Sequence, residues 1–571
     1  MPTRPPRMLH RFWFCLVIVS ATAAQPGSAQ LLLAGGRLPV CTSMTPSCEV
    51  SMASPQAATV TEFRLPAEAL DMHRFLPTEE RIKRWLASLG EPTDSAAAHE
   101  WRAVLDQLAA DHGSMSRSWL GDQLSAAAAD WYDTLDDRAR WQLFDHLQDP
   151  VGARREQVRF QDSRSQAAME IFQRFVAMAR ETSGRQRPRI GVSTAASRDP
   201  YDALDFYLQV FEQAGAEVHW LPLDRAFSAA RAADRCQDLA EFQAELLGSW
   251  DRARVFPAVF EQQQALCGDP ATTLQLAENL DGLFLNGGDQ WLTLHAFIDE
   301  QGQPSPEWQR IMARLEAGEM VLGGTSAGSA VQSGQVMISN GSSQRALLEG
   351  AHEQPPPRPG CDRAQTCPPG LSVDSLTFHR GGLGSFNLGI VDTHFSERWR
   401  QFRLLQLMVD SGIALGLGVD ETSAIEVSGL FDEQPLTLQA HGDSGGWLIM
   451  TDNAVVENQR PLYIRGVVLH YLGPGARLAL EDIVRSDPNP EAATEPTPVT
   501  RASECRHFGH YRSFADLPVF TASAPAQAPH CLLFPLDDTS AARSDLTPLP
   551  SPESATGLVT SWSWSLEPGP P

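Results

Sequence analysis

Residues Gly324-Thr325-Ser326-Ala327-Gly328 follow the apolar run Met320-Val321-Leu322 and precede Ser329-Ala330-Val331. Strand, tight turn and helix in that order make a nucleophile elbow, because small residues beside the serine let the backbone take a strained turn that lifts Oγ clear of a sheet. The next amide, that of Ala327, then faces the carbonyl that Oγ attacks. An attacking serine must lose its proton, so it needs a base that titrates near the working pH. His394 is the candidate, standing just after the apolar segment Gly389-Ile390-Val391. A second serine, in Gly442-Asp443-Ser444-Gly445-Gly446, copies the surroundings of a chymotrypsin-type nucleophile. That chemistry belongs to an all-β double barrel with its histidine and aspartate upstream, whereas the upstream sequence here alternates strand and helix signals. The glycines around Ser444 read as hairpin chemistry.

The elements that must hold these groups belong to a chain of 571 residues with 42% hydrophobic content and a formal net charge of -25. Nucleic-acid binding is set aside, since phosphate backbones are held by clustered cations. Lys83 is the only lysine and lies far upstream of Ser326 in a different predicted segment, which argues against a Ser-Lys dyad. Arg4, Arg7 and Arg11, the apolar stretch from Phe12 to Val19, and the small residues up to Ala29 read as a secretory signal. No later apolar run is long enough to cross a bilayer. Eight of the nine cysteines fall into close pairs: Cys41 with Cys48, Cys236 with Cys267, Cys361 with Cys367, and Cys505 with Cys531. In an oxidising compartment these predict four local disulfides. C-x2-C spacing is absent, so neither a metal nor another cofactor is expected.

From Thr61 to Arg185 apolar residues recur at helical spacing, and tryptophans such as Trp85, Trp131 and Trp141 are expected in a helical core. At Pro188 the pattern changes to βαβ, with strands at 189–194 and 216–223 around a helix at 201–214. Further strands are predicted at 282–286, 320–322, 389–392 and 413–417, then short ones at 423–427, 436–440 and 447–450 that complete the sheet or add an antiparallel edge. The expected organisation is a signal over 1–29, a mainly helical region over 30–185, an α/β domain over 186–485, and a linker with a Pro/Ser-rich, poorly ordered extension over 486–571.

Three strand-end motifs accompany the elbow: Asn286-Gly287-Gly288-Asp289-Gln290, Asp392-Thr393-His394-Phe395, and Gly418-Val419-Asp420-Glu421. In this order they resemble the cyanophycinase and aspartyl dipeptidase family of serine peptidases. The resemblance spans about Pro188 to Asp452. It implies a flavodoxin-like α/β fold, a mostly parallel sheet with helices on both faces, related to class I glutamine amidotransferases. It implies a glycine amide of Gly287-Gly288, assigned to Gly288, as the second oxyanion donor, and Gln290, Asp392, Arg398, Arg400 and Arg403 as substrate-binding groups. Guanidinium groups bind carboxylates bidentately, so these arginines suit an aspartyl side chain or a peptide terminus.

The triad acid has two placements in such families, and the resemblance favours Glu421; Glu349, Asp374 or the lack of an orienting acid are the alternatives. Thr393 stands where cyanophycinases usually have glutamine, and Trp399 and Phe402 where small residues are typical; these departures point away from cyanophycin itself as substrate. The expected protein is a secreted or periplasmic serine hydrolase acting on a peptide or isopeptide bond beside an acidic residue. An α/β-hydrolase esterase and a noncatalytic binding protein using the same cleft are the alternatives. Its expected partners are a peptide substrate and a second copy of the chain in a homodimer, with neither nucleic acid nor, after signal removal, membrane.

Overall fold

The computed structural model describes residues 29–44, 48, 73–90, 95–152, 155–481, 506–507, 530–535, 541–549 and 555–568. The expected signal, apart from Ala29, lies outside these residues, as do the predicted linker and Cys505. The architecture is α/β with mixed sheets.

Five parallel strands form the centre of the main sheet: β1 (Ala29–Ala34), β2 (Arg189–Ser193), β3 (Glu217–Trp220), β4 (Gly282–Leu285) and β5 (Val321–Thr325). Their spatial order is β1-β5-β4-β2-β3, and Ser423–Ser428, Thr437–Gly442 and Arg477–Ala479 extend the sheet antiparallel beyond β1. β1 is the strand the helical reading of 30–185 did not foresee. Leu31, Leu32 and Leu33 are fully buried, as an unbroken apolar run must be when both faces of a strand are covered.

A second sheet begins where a single sheet was expected to continue. Ile390–Thr393 and Leu415–Val419 pair in parallel with each other, then antiparallel with Gly446–Met450 and Leu462–Leu472. The reason is β1: it occupies the edge of β5 that a following parallel strand would have used.

The expected low-order tail also differs from the structure. Val559–Pro568 pairs with Leu462–Leu472, and Ala541–Leu549 and His530–Pro535 follow in the same sheet. Trp562 and Trp564 are fully buried, Trp564 Nε1 donates to Ser544 Oγ at 2.8 Å, and the Trp564 ring lies 5.6 Å from that of Phe402. Alternating residues Trp562, Trp564 and Leu566 give one apolar face with period two, which outweighs the Pro/Ser-rich composition.

The N-terminal helices are capped by Thr78, Ser95, Ser116 and Asp136, whose side chains accept from the first-turn amides. Trp85, Trp101 and Trp131 pack with ring centroids 5.3 to 6.0 Å apart in a core of their own. Helix Gln166–Ser183 belongs instead to the sheet: Phe172 and Phe175 pack on Phe284 and Phe211. A Cβ on Gly323 would stand 2.7 Å from the Phe175 ring, so a glycine in β5 is what lets that helix approach. Three of the expected disulfides are present, Cys41–Cys48, Cys236–Cys267 and Cys361–Cys367. Among the described residues no helix is long and apolar enough to cross a membrane.

Candidate active site

The carboxyl ends of five strands converge. β5 ends at Ser326, whose φ of 53° and ψ of -117° are the strained turn of an elbow. Such a conformation costs about 1–3 kcal/mol and persists only when its surroundings fix it. Ser326 N donates to Ala34 O at 2.9 Å, and Ser329 Oγ bonds Ala34 O and Gly324 O, both at 2.8 Å. Neither flanking glycine has room for a side chain: a Cβ on Gly324 would lie 2.2 Å from Gly328 O, and one on Gly328 would lie 2.2 Å from Leu285 O.

His394 follows Ile390–Thr393 and also has a positive φ, 47°. Its amide donates to Gly35 O at 2.9 Å, turning the ring toward the elbow. Nε2 is 2.7 Å from Ser326 Oγ, and Nδ1 is 2.8 Å from Glu421 Oε1. Burial drives the imidazole pKa down to about 4; the Glu421 hydrogen bond opposes this, and Arg398 and Arg400 add to it. Burial raises the Glu421 carboxyl, but hydrogen bonds from His394 and Arg37 outweigh it and hold the acid below its ordinary range.

Neighbouring Asp420 faces the other way. Fully buried, it accepts from Ser396 N and from Trp447 Nε1, each at 2.9 Å, and ties the His394 loop to the second sheet. Burial, with Glu397 nearby, raises its carboxyl to about 7.

Two groups near the histidine had no motif to announce them. Gly36 ends the β1 turn with φ of 114°, and a Cβ there would sit 2.3 Å from His394 Cε1. Arg37 Nη1 reaches Glu421 Oε2 at 3.2 Å. The signal was present in Leu31-Leu32-Leu33-Ala34-Gly35-Gly36, an apolar run ending in paired glycines like that before Asp289.

Asn286-Gly287-Gly288 passes beside the serine: a Cβ on Gly287 would be 3.3 Å from Ser326 Cβ, and one on Gly288 would meet Ala196 O at 2.2 Å. Gly288, Ala327, Gln290, Arg398, Arg400 and Arg403 line one cleft of about 1100 Å³ with Ser326 and His394. Gln290 Nε2 donates to Ile338 O at 2.7 Å. Arg398 is exposed and makes no side-chain ion pair among the described residues.

Asp392 and Arg403 are engaged with each other. Arg403 Nε and Nη2 reach the two Asp392 oxygens at 2.8 and 2.5 Å, and Nη1 donates to Gly341 O at 2.5 Å. Arg400 Nη1 stands 3.5 Å from Asp392 and donates to Thr393 O at 2.7 Å. Burial raises the Asp392 carboxyl, but the charge and hydrogen bonds of Arg403 prevail and hold it low. Removing one member of such a pair strands a buried charge. Asp392→Asn is therefore expected to destabilise the fold by about 3–5 kcal/mol, read from urea unfolding beside wild type.

The other candidate carboxylates lie elsewhere in the contacts. Glu349 pairs with Arg345 at 2.7 Å and accepts from Ser375 Oγ at 2.9 Å, while the Asp374 carbonyl accepts from Ser342 N at 3.0 Å. Ser444 does not sit in the expected hairpin: its turn joins Thr437–Gly442 of the main sheet to Gly446–Met450 of the second, two strands that pair with other partners and not with each other. Its amide and that of Gly445 donate to Ser423 Oγ, its carbonyl accepts from Tyr471, and Asp443 N donates to Thr422 O. The glycine-rich turn braces the strand end that carries Glu421.

No family model matches the chain. It is 27% identical over 321 residues to a cyanophycinase of Geminocystis herdmanii, covering 54% of this chain and 87% of that protein. A cyanophycinase of Trichormus variabilis is also 27% identical, over 54% of this chain and 80% of the relative. One of Synechococcus elongatus is 31% identical over 34% of this chain, a match spanning about half (51%) of that protein. A solved peptidase from an acI-B1 Actinobacterium overlaps 55% of this chain and 91% of its own with a TM-score of 0.31 and 16% identity, too little likeness to carry an argument. Through about half of its length the chain is similar to these curated cyanophycinases, which supports a cyanophycinase-like peptidase family.

Proposed function

We propose that the protein is an exported serine peptidase that hydrolyses a peptide or isopeptide bond next to an acidic residue through an acyl-enzyme. The observation that carries this reading is the unbroken relay from Ser326 Oγ through His394 to Glu421, with contacts of 2.7 and 2.8 Å. Ser326 Oγ attacks the carbonyl while Nε2 takes its proton; the imidazolium returns that proton to the leaving amine, and water repeats the cycle on the ester. Glu421 holds Nδ1–H and stabilises the imidazolium. The amides of Gly288 and Ala327 are the oxyanion donors.

Three features support the finer parts of this reading. The order β3-β2-β4-β5, with β1 in the fifth place, matches a flavodoxin-like core, and the cleft lies off the carboxyl ends of the strands. The disulfides favour an oxidising compartment and hence export. Arg398, exposed and lining the same cleft as the serine, favours a substrate carboxylate.

The test is mass-spectrometric mapping of a fluorophosphonate adduct on the folded protein, followed by a screen of aspartyl and β-aspartyl peptides. Modification at Ser326 is expected; an adduct at Ser444, or none, rejects the serine-peptidase reading. The pH profile gives a separate check. The base acts as neutral imidazole, so activity is kept above its pKa and lost below it. With the His394 pKa at about 4, the acid limb of kcat/KM is expected near that pH. A limb at the ordinary histidine position of about 6.5 would mean the ring is not held as described.

A further inference from the structure

We propose that Arg225 and His295 form a second carboxylate-binding subsite in the Ser326 cleft, so that the substrate is an acidic peptide held at more than one carboxylate. This rests on the peptidase reading above. Arg225 begins helix Arg225–Ala232 and His295 lies on Gln290–Phe297; the two helices are packed together, with Ser228 Oγ donating to Ala296 O at 2.6 Å. Both side chains line the serine's cleft and also an adjoining cavity of about 610 Å³.

Their polar atoms are unmatched. Arg225 is half-buried, yet among the described residues its guanidinium makes no ion pair and no side-chain hydrogen bond. Glu300, Asp289 and Glu245 act on it only at longer range. Asp289 is occupied, accepting from Trp291 N at 2.8 Å.

Among the described residues no hydrogen-bond partner of acceptable geometry meets either ring nitrogen of His295, both of which are buried, and the Ile298 main chain ranks behind burial, Arg225 and His379 in its effect on the ring. The ring is nevertheless fixed, 4.6 Å from Trp291 and 6.2 Å from His379 between centroids. Burial, reinforced by Arg225, keeps it neutral, so it offers one N–H donor.

A half-buried guanidinium and an N–H donor on neighbouring helices suit the two oxygens of one carboxylate. A chain of net charge -25 has carboxylates to pair with such a cation, and this one is left for a ligand. Arg398, which lines the same cleft as the serine, is available for another carboxylate. The cleft, at about 1100 Å³, is larger than a single residue needs.

The test uses the full chain as Ser326→Ala, with dye-labelled, end-blocked heptapeptides containing two aspartates at varied spacing and their single-asparagine isosteres, followed by fluorescence anisotropy. At one spacing, binding is expected to weaken about tenfold when the second aspartate becomes asparagine. Adding Arg225→Gln should bring that ratio to about one, and adding His295→Gln should reduce it about threefold. Should Arg225→Gln fail to fold by circular dichroism, His295→Gln decides alone. No preference at any spacing, or an undiminished preference in the folded variants, overturns the subsite. Fluorophosphonate labelling of wild type separates the two claims: labelling without a second-aspartate preference rejects only the subsite, and preference without labelling rejects only the peptidase reading.

Discussion

Ser326→Ala is expected to lower kcat on a cleaved peptide by about 10⁶-fold, the scale on which loss of a serine nucleophile is felt, and to abolish fluorophosphonate labelling. The size follows from the geometry. Oγ is the atom within 2.7 Å of Nε2, so without it His394 has no proton to take and no acyl-enzyme forms. The fold should survive, because the main-chain bond to Ala34 O and the Ser329 contacts that fix the elbow do not involve the hydroxyl. Alanine accepts a positive φ no worse than serine, since both carry a Cβ and neither is glycine. An unchanged thermal melt with lost turnover is thus the expected pair of results. Residual turnover within tenfold of wild type would transfer the chemistry to another group, with Ser444 as the first to examine.

How much of this could be read from the chain depends on what each element displays. The elbow, His394 and Glu421 were legible because each follows an apolar strand run, and a strand's carboxyl end is where α/β sheets place their sites. The Gly35-Gly36-Arg37 turn was hidden by its position. Its strand, Leu31–Leu33, comes directly after residues 1–29, which read as a secretory signal, and it is separated from the β/α pattern that begins at Pro188. The second sheet was hidden for another reason: periodicity identifies a strand but does not name its partner, and β1, distant in sequence, takes the edge that Ile390–Thr393 would have extended. Composition misled at the C-terminus, where proline and serine obscured the alternation of Trp562, Trp564 and Leu566. Arg403 shows the limit of a motif. Its spacing from His394 suits a substrate-binding arginine and it lines the cleft, but the motif does not announce that Asp392 takes the Nε and Nη2 edge of its fork and Gly341 O accepts from Nη1.

Glu421→Gln is expected to lower kcat by about 10⁴-fold while leaving substrate affinity nearly unchanged. The carboxylate accepts from Nδ1–H, which leaves Nε2 unprotonated and ready to receive the serine proton. An amide can instead present its NH2 to Nδ1, favouring the tautomer with hydrogen on Nε2, and that nitrogen then has no lone pair for Ser326. Charge is lost as well, so the imidazolium formed during attack goes unsupported. Arg37 provides an internal comparison, because its side chain is 74% exposed although it contacts the same carboxylate at 3.2 Å. Exposed ion pairs contribute about 1 kcal/mol or less, so Arg37→Ala should cost less than about tenfold in kcat. A large loss for Glu421→Gln beside a small one for Arg37→Ala would assign the effect to the bond on Nδ1 and not to general field strength. Full activity in Glu421→Gln would remove the residue from the relay and leave His394 to act without an orienting acid.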